Sequence, residues 1–492
     1  MAADRGLPRP AANNSRKAAM LEWSATRLSD AIHKRKVAPS EVMAVWLAQV
    51  EAANRTVNAL VSLRDPDVLM AEARALDDAI PAGWLHGFPF AVKDLVATAG
   101  IRTTWGSPLY RNHVPTQDDL VAARLRAAGA VLAAKTNVPE WGQGSHSFNP
   151  VFGVTRNPYD PARSAGGSSG GAAAALACRM AWVADGSDMM GSLRNPAAFC
   201  NVYGFRPTWG LVPQDAEGDT YLATLATDGP MARTVEDLAH LLLVLAGENP
   251  EVPFPRAVPD VLSGLDRGMT GCRIGWLADW GGAYAMEPGI LGLCEAALRQ
   301  MQEMGAVVEP LAPPFPAERL WSSWITLRAM LNAGGKRALA EDPAKRALTK
   351  PETIWEIEQG MGLSAQAVHE ASVIRSRWHA QAARLFDRYD AIVLPSAQVW
   401  PFPAEWRWPQ EIAGRRMDTY HRWMEVVVPA SLIGLPALSV PVGFSDSGLP
   451  MGMQIIGRSG DDAGVLAIGQ AWHRATEWPQ KRPPLAAGAD SR

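Results

Sequence analysis

The chain has 492 residues, 48% of them hydrophobic and 20% charged, and a formal net charge of −3. That near-neutral balance leaves no clustered Lys and Arg to mark a nucleic-acid partner, and no apolar run reaches the roughly eighteen residues of a membrane span. The polar first twenty residues, with Pro8 and Pro10, lack the apolar core of a signal peptide, so a cytoplasmic location is expected.

Residues 1–20 read as a disordered tail. Helical patterning begins at 21–35 and resumes in a second helix opening at Ser40, an N-cap after Pro39, and running to about Asn54. A third apolar-periodic run covers 68–79. The first strand, 89–92, ends at Lys93-Asp94, and the apolar residues around it favour a buried functional Lys93 over a solvated charge. A helix over about 117–128 stops at Gly129, a C′ glycine, and a strand follows at 130–134; this alternation argues for a sheet with crossover helices.

Farther on, Thr234 caps a helix with Asp237 in its first turn. Residues 248–270 form a connection, 273–276 a strand, 288–304 a helix ending at Gly305, and 306–309 another strand. The stretch 318–385 is mostly helical. Strands follow at 392–395, 437–442 and 452–456, the last two joined by a Ser447-Gly448 turn. The proline-rich tail after Glu477 reads as unstructured, and no internal repeat is found.

Chemistry concentrates in 163–207. Gly166-Gly167-Ser168-Ser169-Gly170-Gly171 supports neither helix nor strand, because glycine loses the most backbone freedom on ordering. The alanine run behind it is a strong helix former, so a helix starts near Ser169 and presents its N-terminus to the loop. A phosphate cradle would need Gly-Lys-Ser/Thr, which Gly170-Gly171-Ala172 does not supply. A nucleophile elbow matches G-x-S-x-G at Ser168 and would need a later acid and a histidine such as His240. A flexible linker would be flanked by polar low-complexity sequence, not by an alanine helix.

Cys178, Cys200, Cys272 and Cys294 are too few and too dispersed for a disulfide framework or a CxxC metal site. The nine histidines include no HExxH motif, and His86, His146 and His240 read as structural. Neither cofactor nor metal is expected. Of nineteen tryptophans, most are core and a few are expected to line an apolar pocket.

Taken with Gly87-Phe88-Pro89-Phe90-Ala91-Val92-Lys93-Asp94, Lys135-Thr136-Asn137, the glycine–serine loop, Ser192 with Arg194, Gly229-Pro230-Met231 and Gly434-Leu435-Pro436-Ala437, the chain resembles the amidase signature family of serine hydrolases over most of 21–476. Lys93 and Ser168 are 75 residues apart and Ser168 and Ser192 are 24 apart, spacings that fit the resemblance. The resemblance implies an α/β fold: one large α/β/α domain around a mixed, twisted sheet covered by helices, against the roughly three domains that length suggests. It places that domain at 21–476, with a catalytic core at about 80–235, a variable helical region at about 310–390 and a tail at 477–492.

The same resemblance implies a catalytic triad in which Ser192 is the nucleophile, Ser168 a bridging serine after a cis peptide bond with Gly167, and Lys93 the base. A serine hydroxyl needs an adjacent base, and a lysine serves only if burial lowers its pKa from about 10.4. Backbone N–H groups of Met189, Met190, Gly191 and Ser192 would form the oxyanion hole, with Ser169, Asp188 and Arg194 supporting the two turns. Met190 stands where many members carry glycine, and would be strained if that position uses positive φ; Met189 and Met190 would otherwise shape an apolar acyl pocket.

The implied activity is an amidase cleaving small-molecule amides, aryl amides or carbamates (as aryl acylamidases and urethanases do) through an acyl-Ser192 intermediate, as a monomer or homodimer. The alternative is the A-type subunit of an amidotransferase complex, releasing ammonia from glutamine. A binding protein with a retired site is disfavoured by the presence of Lys93, Ser168 and Ser192 together. Specificity is expected in the loops at 103–110, 141–148 and 321–330.

Overall fold

Two sheets meet at the lysine. In the computed structural model, which describes residues 19–484, the smaller sheet holds β1 (Leu60–Val61), β2 (Pro89–Lys93) and β3 (Val131–Thr136), with β3 in the middle, parallel to β2 and antiparallel to β1. The larger one has eight strands: β4 (Val183–Asp188), β5 (Tyr203–Arg206), β6 (Thr227–Ala232), β7 (Arg273–Trp276), β8 (Val307–Pro310), β9 (Ala391–Pro395), β10 (Ala437–Phe444) and β11 (Pro450–Ile456). Their order across the sheet is β8-β7-β9-β11-β10-β5-β6-β4. β8, β7 and β9 run parallel and the remaining pairs antiparallel, so the fold is mixed α/β.

β4, the edge strand of the large sheet, carries the site. Its Asp185 accepts the Lys93 backbone N–H at 3.0 Å, which ties the end of β2 to the middle of β4. Between the sheets lies the alanine helix, Gly170–Ala177, buried along its whole length. A Cβ on Gly171 would stand 2.3 Å from the Asn137 backbone N, so only glycine lets the helix start press this close to the end of β3. Its small side chains are therefore a packing requirement as much as a helix signal.

Helices cover the large sheet. Arg194–Cys200 packs on β10 and β11, Val235–Leu245 on β6, and Asp462–Thr476 on β10. A second apolar core, built around Trp280, Trp324, Trp378 and Trp423, joins β9 and β11 to the long helices Ala317–Glu341 and Ala365–Leu385, and Pro351–Met361 packs on Ala317–Glu341. Among the described residues, no helix is long and apolar enough to cross a membrane.

Several sequence expectations need correction. The first helical run breaks at Trp23-Ser24, where the Ser24 side chain accepts the Arg27 N–H and starts Ala25–His33. Ser40 is not an N-cap: Pro39 is already the first residue of Pro39–Val57, Glu41 reaches back to the Ala38 N–H, and the Ser40 hydroxyl bonds Asp77. The start of the C-terminal tail is ordered: Trp478–Gln480 forms a helical turn, Arg179 donates to the Pro479 carbonyl, and Tyr159 donates to that of Lys481. Residues 1–18 and 485–492 lie outside the described residues. Thr234 caps its helix as expected, accepting from Asp237 N.

Candidate active site

Lys93, at the end of β2, is fully buried, and its Nζ lies 2.8 Å from each of three hydroxyls: Ser168, Ser169 and Ser187. The Gly167–Ser168 peptide bond is cis, as the resemblance implied. Burial pulls the Lys93 ammonium down to about 8, against the opposing pull of Asp228, Asp185 and Asp188. Burial also pushes Asp228 up to about 7 and Asp185 up to about 6, with the Lys93 charge drawing both back. Burial thus brings the neutral form of Lys93 within closer reach of pH 7 than for a free lysine.

The second turn follows β4 directly. Its anchor is Asp188, wholly buried, whose carboxylate accepts the N–H groups of Gly191 at 2.9 Å and Leu193 at 3.2 Å. Arg194 closes on it through Nε at 3.0 Å and Nη2 at 2.9 Å, and Arg206 adds a third contact at 3.2 Å. Burial alone would raise the Asp188 carboxyl, but the two guanidiniums outweigh it and hold it below the usual carboxylate range. Arg194 is itself fixed by Gln454 at 2.6 Å and Ser431 at 2.7 Å. The Ser169 N–H donates to the Ser192 carbonyl at 3.2 Å and joins the two turns.

Ser192, 7% exposed, lies on the wall of a cavity of about 160 Å³ together with Ser168, Ser187, Met189 and Met190. No hydrogen bond joins the Ser192 and Ser168 hydroxyls, although both residues line the cavity. The expected strain at Met190 does not occur, because the left-handed residue is Gly191, with φ +79°. Gly191 also departs from its expected role: its N–H is already taken by Asp188, leaving those of Met189, Met190 and Ser192 without a protein acceptor among the described residues.

Of the segments expected to be specificity loops, 141–148 lines the cavity through Trp141, Gly142, Gln143, Gly144 and Ser145, whereas 321–330 is not a loop but part of helix Ala317–Glu341, which reaches the cavity through Arg328. The 103–110 loop stands behind, with Trp105 stacked 6.4 Å from Trp141. Sequence reasoning missed Ser187, Asn332, Lys336 and Met424 on the cavity wall. Arg328, Asn332 and Lys336 recur every four residues, a helical polar stripe visible in the sequence. Among the described residues, no group of His, Cys, Asp and Glu is arranged to hold a metal ion.

Fold and site together define an enzyme that acts on carbon–nitrogen bonds. The chain belongs to the amidase family, whose pattern matches residues 41–466. It is similar to the A-type subunit of glutamyl-tRNA(Gln) amidotransferase from Thermus thermophilus, 35% identical across 92% of this chain and 97% of that protein. Among solved structures, it resembles a bacterial aryl acylamidase of the amidase signature enzymes, with a TM-score of 0.87 and 29% identity over 96% of this chain and 99% of that one. It is also similar to 6-aminohexanoate cyclic dimer hydrolase, with a TM-score of 0.84 and 25% identity over 95% of this chain and 99% of that one.

Proposed function

We propose that the protein hydrolyses small-molecule amides, aryl amides and carbamates among them, through an acyl-enzyme on Ser192. The observation that carries this reading is the buried Lys93 at 2.8 Å from the Ser168 hydroxyl, with Ser192 on the wall of the same cavity. Neutral Lys93 accepts the Ser168 proton as Ser168 takes that of Ser192, and the Ser192 oxygen attacks the carbonyl carbon. The free backbone N–H groups of the second turn supply donors for the developing oxyanion. As the C–N bond breaks, the proton returns through Ser168 to the leaving nitrogen, and water then releases the acid by the same relay. Leu95, Met189, Met190, Met424 and the Trp141 ring give the cavity apolar surface for an aryl or alkyl group.

Protonated Lys93 cannot act as the base, so activity follows its neutral form. With an uncharged anilide, kcat/KM should rise about tenfold per pH unit up to the Lys93 value of about 8 and level off above it. A profile that is flat from pH 5.5 to 9 would contradict a lysine base.

A second reading, the ammonia-releasing component of an amidotransferase, is favoured by the 35% identity to the Thermus thermophilus protein over nearly its whole length. Turnover of anilides by the isolated chain, with no release of ammonia from glutamine, separates the first reading from the second.

A further inference from the structure

The cavity that holds Ser192 has a polar side which the reaction does not use. Arg328, Asn332 and Lys336 line it from one face of helix Ala317–Glu341. The charge of Arg328 is accounted for: it meets Glu356 through Nε at 2.5 Å and Nη2 at 3.3 Å, and the Tyr420 hydroxyl at 3.0 Å. Glu356 is saturated as well, accepting from Asn332 Nδ2 at 2.8 Å and Gln143 Nε2 at 3.0 Å. The neighbouring His421 is held neutral, since burial pulls it down to about 3 despite the facing Glu356.

Lys336 is different. Its Nζ makes one hydrogen bond, 2.9 Å to the neutral Asn332 Oδ1, which leaves two N–H donors unused and the charge without a carboxylate in contact among the described residues. Burial pulls its pKa down to about 8, with the nearby Glu356 carboxylate opposing that pull, so it stays mainly protonated at pH 7. Ser145 and Trp141 line the same cavity, but the Ser145 hydroxyl and the Trp141 Nε1 are themselves sealed from it, so among these residues the donor open to it is the Lys336 ammonium.

We propose that this side of the cavity is a subsite for a carboxylate carried by the amide substrate, with Lys336 as its counter-ion. The two N–H donors that Lys336 leaves unused can both be directed at carboxylate oxygens. The inference rests on the amide-hydrolase reading and narrows it: the apolar wall takes the aryl or alkyl part, and the lysine side selects acidic amides over neutral ones.

The test is binding rather than turnover, which keeps it independent of which serine attacks. On full-length Ser192→Ala protein, calorimetry compares succinanilic acid with valeranilide, for a carboxylate on the acyl side, and 4-butyramidobenzoic acid with 4-butyrotoluidide, for one on the amine side. In at least one pair the acid should bind about tenfold or more tightly than its uncharged partner. Adding Lys336→Met should bring that ratio to about one. Each ratio is taken within one protein preparation, so a partly misfolded variant does not distort it. No preference for the acid in either pair, or a preference that survives Lys336→Met, overturns the subsite. Turnover that persists in Ser192→Ala would instead sink the acyl-enzyme reading and leave the binding ratios standing.

Discussion

Ser192→Ala should lower kcat/KM for a small anilide by about 10³–10⁶-fold with the fold unchanged. The Ser192 hydroxyl makes no hydrogen bond that the structure depends on, and its side chain reaches the cavity. The loss therefore reads as chemistry. Ser168→Ala would cut the proposed relay between Ser192 and Lys93 and should also be severe, yet the combined variant should lose little beyond the single ones, because members of such a relay act as a unit. Near-normal activity in Ser192→Ala, with loss confined to Ser168→Ala, would move the nucleophile to the glycine–serine loop.

Asp188→Ala should be among the most destabilising single changes, at about 3–5 kcal/mol, the usual cost of removing one partner from a buried ion pair. It leaves two wholly buried guanidiniums, Arg194 and Arg206, without their carboxylate, and frees the N–H groups of Gly191 and Leu193 that hold the turn. Activity should fall with stability, since the turn that carries Ser192 hangs on this side chain. The folded-state pKa of Asp188 lies below its unfolded value, so the contribution is fully present above pH ~4 and is lost as pH falls through the depressed value. Urea denaturation at pH 7 measures it; a loss under about 1 kcal/mol would mean that the arginines find other partners.

Much of this site was legible in the sequence because its parts are local. Lys93 at the end of a strand, the loop at 166–171 and the turn at Ser192 each carry a short local signal, and the structure brings the lysine to Ser168 and both turns to one cavity. β4, β5 and β6 escaped notice for a physical reason. β4 reads Val-Ala-Asp-Gly-Ser-Asp and β6 reads Thr-Asp-Gly-Pro-Met-Ala, which are poor strand sequences by propensity. They pair through a complete register from Val183↔Ala232 to Asp188↔Thr227, where tertiary context overrides local preference. Gly229 is there because a Cβ would stand 2.3 Å from the Phe205 carbonyl oxygen, a constraint invisible without the fold. The polar wall escaped for the opposite reason. Arg328, Asn332 and Lys336 look like an ordinary solvated helix face, and only the packing of helix Ala317–Glu341 on Pro351–Met361 and on the 141–145 loop buries Arg328 and Asn332 and half-covers Lys336.

A fluorophosphonate adduct located by peptide mass spectrometry tests whether the attacking oxygen belongs to Ser192. One adduct is expected, on the peptide containing Ser192, lost in Ser192→Ala and strongly slowed in Lys93→Ala; an adduct on Ser168 that persists in Ser192→Ala would contradict Ser192 as the nucleophile.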